Sequence, residues 1–225
     1  VHQWPDPQVY TLTRSGQTLS GSETRNLNRA YPGRSDGSLT EQIAFAITEL
    51  IRRERVVLAI DLHEASPEYP VVNTIVAHQR AMDLAALASL QLHGDGIDIG
   101  LEASPEGLGG LSHREWGDAT PALAILMETT NPAQGRLRGR TDTALVVRGQ
   151  DRFYVLAAGR GRLNVPFDAV GWPLAVRAGR HLSGIRAFAA ALAELSPDDA
   201  VVIEGVPDYD AAVRLGLGAI LGPVS

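Results

Sequence analysis

Cysteine is absent from these 225 residues. That one absence removes disulfides, thiolate metal sites and thiol nucleophiles together, so any bound metal must be held by histidine and carboxylate. Lysine is absent too: all 20 basic residues are arginine, set against 26 acidic ones for a net charge of −6. Neither sign collects in a long block, so nothing points to a phosphate-tracking surface and no nucleic-acid partner is expected. No apolar run approaches the roughly 20 residues that span a bilayer, and Val1 to Gln8 lack the charged-then-apolar order of a signal peptide. A protein in water, without a membrane partner, is the expectation. The compartment stays open, cytoplasmic or exported, because a cysteine-free chain folds in either redox setting. The chain begins at Val1 rather than methionine, which suggests that residues upstream were cleaved or left out.

What is present is a chain 44% apolar, long enough for one large domain with a continuous core. Gln8 to Arg14 alternates like a half-buried strand and meets a turn at Ser15-Gly16, followed by a polar run from Gln17 to Asp36. Ser38 and Glu41 have capping-box spacing and predict a helix from there to about Glu54, with Ile43, Ala46, Ile47, Leu50 and Ile51 at helical spacing. Val56 to Ile60 is a short apolar run of the kind buried on both faces of a parallel sheet, and it leads into Asp61-Leu62-His63. Val71 to Val76 reads as a strand, Arg80 to Leu92 as a helix and Gly94 to Gly117 as a long glycine-dotted loop. Ala122 to Met127 repeats the buried-strand pattern and delivers Glu128. Thr143 to Val147 and Arg152 to Leu156 are expected to pair as a hairpin, Leu174 to Leu195 as an amphipathic helix, Ala200 to Ile203 as a strand and Asp210 to Leu215 as a helix. The order of elements predicts an α/β fold with a mixed, mainly parallel sheet flanked by helices.

In open α/β sheets ligands bind at the carboxyl ends of strands, which places His63 and Glu128 where catalytic groups belong. An imidazole suits zinc, and a carboxylate beside it can take a proton from water. For an arbitrary pair, a hydrogen-bonded loop histidine and a surface glutamate are the commoner explanation. A more specific signal is Arg25-Asn26-Leu27-Asn28-Arg29-Ala30-Tyr31-Pro32-Gly33, where an amide and a guanidinium sit side by side in a loop ahead of a helix. A planar guanidinium meets a carboxylate with two parallel hydrogen bonds, which fixes register better than a lysine does.

This loop resembles the Asn-Arg-x-aromatic-Pro-Gly segment of the zinc carboxypeptidase superfamily, and in particular its succinylglutamate desuccinylase/aspartoacylase (deacylase) branch. Ile60-Asp61-Leu62-His63 is similar to the strand end that gives that superfamily its third zinc ligand, and Met127-Glu128-Thr129 to the one that gives its catalytic glutamate. The three segments stand in the superfamily's order. The resemblance implies a carboxypeptidase-like (phosphorylase/hydrolase-like) fold, one Zn2+ ion with His63 among its ligands, Glu128 as catalytic acid and base, and Arg25 polarising the scissile carbonyl. It implies that Asn28 and Arg29 hold a substrate carboxylate. The activity implied is hydrolysis of an amide in an N-acyl amino acid or at a peptide C-terminus, with a metallocarboxypeptidase acting on peptides or cell-wall peptides as the neighbouring alternative.

His113 could line the pocket, Glu102 is a rival carboxylate, and Asp61 could orient an imidazole. Glu64 should point away from a metal held by His63. Arg136 and Arg138 could narrow the pocket or bind an acidic side chain. One departure matters. The superfamily takes its first two ligands from His-x-x-Glu or His-x-x-Asp ahead of the Asn-Arg loop, and no such motif precedes Asn28: His2 is followed by Pro5 three residues on, and His93-Gly94-Asp95 lies downstream and reads as a helix-ending turn. A lone histidine does not hold catalytic zinc tightly. The expectation is therefore a catalytic domain over 1–195 whose N-terminal part is incomplete, upstream or by an internal gap, and an extension over 196–225 that packs on the domain or on a second copy in a homo-oligomer. A metal-free relative that binds carboxylates through Asn28 and Arg29 is the rival from another class, and a purely assembly role leaves that loop unexplained.

Overall fold

The computed structural model describes residues 9–11, 18–20 and 23–220. Strands β1 (Val9–Thr11) and β2 (Thr18–Ser20) form an antiparallel pair. The expected strand at Gln8 to Arg14 thus holds over its centre, its other residues and the Ser15-Gly16 turn lie outside the described residues, and β2 falls in what was read as a polar run.

Helix α1 (Leu39–Arg53) starts where the capping box puts it: Glu41 N–H donates to Ser38 Oγ, and Ser38 N–H donates to Glu41 Oε2, which satisfies two of the amides that a helix start leaves orphaned. Its buried face is Ala44, Thr48 and Ile51, while Ile43 and Leu50 are exposed. The helix is therefore rotated by about one position from the face its larger apolar residues suggested, and small Ala44 is what lets it sit close to its neighbours.

The main sheet has four strands in the order β3-β6-β4-β5, with β3 Leu58–Ala65, β4 Thr74–Ala77, β5 Gly100–Ala103 and β6 Leu123–Thr130. Leu123 N–H donates to Val57 O and Asn131 N–H to Ala65 O, so β3 and β6 run parallel. Gly100 N–H and Ser104 N–H donate to Asn73 O and Ala77 O, so β4 and β5 are parallel as well. His78 N–H donates to Ala124 O and Thr130 N–H to Asn73 Oδ1, which sets β4 antiparallel to β6. The result is an α/β fold with a mixed, mainly parallel sheet. Strands β3 and β6 extend past the apolar runs that betrayed them, because both continue pairing through His63 to Ala65 and through Glu128 to Thr130. Helix α2 is Met82–Gly94.

Three expectations fail. The segment from Gly94 to Gly117 is not a bare loop: it contains β5 and α3 (Ser112–Ala119). The hairpin at 143–156 is instead a turn over Ala144–Arg148 and a helix, α4 (Arg152–Ala158). The Asp151 carboxylate accepts from Phe153 N–H and Tyr154 N–H and starts α4, and Gly149, at φ 65°, ends the turn before it. Capping and a left-handed glycine prevail over the β-branched pair Val146-Val147. Helix α5 (Leu174–Leu195) matches its expected span, residues 200–203 form no strand, and α6 (Tyr209–Leu215) is followed by α7 (Leu217–Ile220). The chain's last five residues lie outside the described ones.

The chain divides into two units: residues 1–61, 77–82 and 103–126, and residues 62–76, 83–102 and 127–225. The first has a core of Tyr31, Ala44, Ile51, Ala59, Trp116, Ala122 and Ala124, with the Tyr31 and Trp116 rings edge to face at 5.1 Å. In the second, Ala65, Val72 and Val165 cluster against Trp172, and α6 lays Tyr209 and Ala212 against Gly179 of α5.

Candidate functional site

The register of β3 on β6 follows from their end bonds. Val57 O accepting from Leu123 N–H pairs residue 58 with 123, and Ala65 O accepting from Asn131 N–H keeps the same offset. Residues 63 and 128 are therefore direct cross-strand partners on one face of the sheet, and His63 Nδ1 lies 3.8 Å from Glu128 Oε1. Glu128 is the less exposed of the two side chains, at 13% against 29%.

Side chains alternate along a strand, so Glu64 and Thr129 form the adjacent pair on the opposite face. Helix α5 engages that face. Arg177 Nη1 donates to Glu64 Oε1 at 2.6 Å and its Nη2 to Val146 O at 2.7 Å, while Asn131 Nδ2 donates to Glu64 Oε2 at 2.6 Å. The Arg177 side chain is only 3% exposed, a burial that a guanidinium tolerates only with such partners. One turn on, His181 Nε2 stands 3.2 Å from Thr129 Oγ1. Burial pushes the His181 pKa down to about 4, against the pull of the Glu64 charge and a hydrogen bond with the His63 backbone, so its imidazole is neutral near pH 7. Glu64 thus points away from the His63 face, as expected. Arg177 and His181 were not singled out from the sequence. Their only trace there is polar groups four apart in a helix whose buried residues are otherwise mostly small or apolar, and their partners lie 113 and 52 residues distant.

In the first unit the Asn-Arg loop is two short 3-10 turns, Glu23–Arg25 and Leu27–Arg29. Asn26 Oδ1 accepts from Asn28 N–H and organises the second turn. Asn28 Oδ1 in turn accepts from Ser112 N–H at 2.6 Å, supplying the first amide of α3 with the acceptor that Leu111 at the cap position does not. That bond fixes the amide's orientation and leaves its N–H2 group as the end suited to an anion. Arg29 donates from Nη1 to Asn28 O at 2.7 Å and pairs through Nε with Glu23 Oε2 at 3.1 Å. Arg25 is exposed. Gly110, at φ 82°, lies so near that a Cβ there would stand 2.3 Å from Arg29 O. Tyr31, behind the loop, has its pKa pushed up to about 12 by burial and by the Asp61 charge, and Asp61 Oδ2 accepts from Ser112 Oγ–H.

His113 is 4% exposed and belongs to α3 rather than to a loop. Glu102, the rival carboxylate, is exposed on β5, with two strands between it and β3. His93 ends α2 with Nδ1 2.7 Å from Ser89 O, the turn that its sequence suggested. His2 lies outside the described residues.

The His63 and Glu128 groups suit zinc in kind, one imidazole and one carboxylate. In number they fall short: among the described residues no group of three or more His, Cys, Asp or Glu is placed to hold a metal ion. The chain matches no family model, no curated protein and no solved structure.

Proposed function

We propose that the chain is a hydrolase of the zinc carboxypeptidase type, cleaving an amide bond in a substrate that carries a free carboxylate, an N-acyl amino acid or a peptide C-terminus. The observation that carries this reading is the cross-strand pairing of His63 with Glu128, with 3.8 Å between imidazole and carboxylate. Glu128 is assigned the proton transfers: its carboxylate takes the proton of the attacking water and returns it to the leaving amine. Arg29 and the Asn28 amide N–H2 are assigned the substrate carboxylate, with Glu23 as the acid that Arg29 holds until then. Arg25 is assigned the carbonyl oxygen. Zinc, when bound, would polarise that carbonyl and acidify water; a three-ligand site including His63 needs two further donors from outside the described residues.

The test combines metal analysis with amine release. After equilibration with zinc and dialysis, protein that carries those two further donors is expected to retain about one ion, and to lose it in His63→Ala. N-acyl amino acids should then be hydrolysed, with chelator abolishing release and Glu128→Gln lowering kcat by about a thousandfold. Peptides cleaved in preference to N-acyl amino acids would select the carboxypeptidase alternative. Zinc retention and turnover indifferent to both substitutions would remove the reading.

The lack of a three-donor group among the described residues favours a second reading, a metal-free module that binds carboxylates through Asn28 and Arg29. It expects ligand binding untouched by chelator and lost in Arg29→Ala.

A further inference from the structure

Residues 136–162 hold seven of the 20 arginines against two aspartates, in a chain of net charge −6. All seven are exposed. Six of the arginines elsewhere find acids: Arg29, Arg34, Arg52, Arg53, Arg114 and Arg177 each sit in an ion pair. Among the described residues none of the seven in this segment does. Exposed guanidiniums outside ion pairs form a local positive field, offset in part by Glu68, whose carboxylate accepts from Arg136 N–H and from the Tyr154 hydroxyl.

The segment also has a hollow. A surface pocket of about 490 Å³ is lined by Gln150, Asp151, Arg152, Val155, Leu156 and Ala169, beside an α4 that turns Phe153, Val155 and Leu156 outward, Leu156 at 54% exposure. Asp151 keeps its negative charge, but both its oxygens are taken by backbone donors, Phe153 N–H and Tyr154 N–H on one and Gly139 N–H on the other, and among the described residues it forms no ion pair with any of the seven arginines. The Gly139 bond draws Arg138 and Arg140 to the start of α4. There Arg152 stacks its guanidinium over Phe153 at 4.7 Å.

We infer that this surface docks an acidic peptide segment that presents an apolar side chain between carboxylates, the apolar group entering the Val155 and Leu156 hollow and the carboxylates meeting Arg138, Arg140 and Arg152. Arginine matches carboxylate in a two-point fork, and an anchor in a pocket with charges around it is how short peptides gain both affinity and register. A lipid surface is less well matched, since it is entered by protruding apolar groups and has no use for a hollow. The inference does not depend on the His63 and Glu128 reading.

Fluorescence anisotropy tests it, with the whole chain and a short fluorescein-labelled peptide of aspartate and glutamate around one central leucine. Binding should weaken as salt rises, fall about tenfold or more in Arg138→Glu/Arg152→Glu, and fall likewise in Leu156→Asp or when the peptide's leucine is replaced by alanine. Arg140→Glu, with circular dichroism on every variant, guards against loss of fold at α4. Absence of binding, binding equal in wild type and the double variant, or a preference for phosphatidylserine vesicles or single-stranded DNA over the peptide would each overturn the inference.

Discussion

The end of strands β3 and β6 and the Asn-Arg loop are held in place by opposite means. Behind His63 and Glu128 stands a buried charge, Arg177, whose partners are Glu64 and a carbonyl. The loop is held by bonds it makes largely to itself and to the start of α3, from side chains that water still reaches. A buried ion pair ties up much free energy in one spot and loses it all when one member goes, whereas a partly exposed network gives way by small steps. Geometry should therefore be stiff at the strand ends and adjustable at the loop.

The sharpest way to break this contrast is Arg177→Met, which strands the Glu64 carboxylate in the second unit. It should cost about 3 kcal/mol, read from denaturant midpoints, and Arg177→Met/Glu64→Gln should recover most of it. Equal losses in the single and the double variant would mean that packing, not charge, fixes this face. A smaller effect is expected in the loop. Asn28→Ala should cost about 1 kcal/mol by uncapping α3, and Asn28→Asp, which keeps the acceptor, should cost much less. On the proposed reading carboxylate binding should fall in both, since both lose the donor N–H2, so a variant as stable as wild type but blind to carboxylates would separate grip from cap.

The smallest effect is one of pH. Burial alone would raise the pKa of Glu68, but the Tyr154 hydroxyl, at 2.7 Å, and backbone amides including that of Arg136 draw it below its usual 4.5. The unfolded chain then binds that proton more readily. The contribution is present above the ordinary carboxylate range and is lost as pH falls through the lowered value. Tyr154→Phe should flatten the acid limb of a stability curve measured by urea titration. An unchanged limb would show that the backbone donors alone hold this carboxylate.

Much of the scaffold could be read in advance because its signals are local. The capping box of α1, the length of α5 and the apolar runs inside β3 and β6 each lie within a single window of sequence. The readings at 143–156 and at His113 went astray where a local signal was weak and a single polar group decided: Asp151 starts a helix, and Asn28, 84 residues from Ser112, caps another. Cross-strand neighbours were legible from position at strand ends, and the register then placed His63 opposite Glu128. Arg177 and His181 were hidden because what makes them notable is the company they keep across the fold, not the helix that bears them.

Asp151 holds one more consequence. One of its oxygens starts α4 and the other grips the chain at Gly139, so a single acid rivets a bend to a helix and sets the stride between Arg138 and Arg152. Asp151→Asn would weaken both joints at once while leaving every arginine in the chain. Recognition lost in that variant would show that spacing, rather than the sum of positive charge, is what a visitor reads.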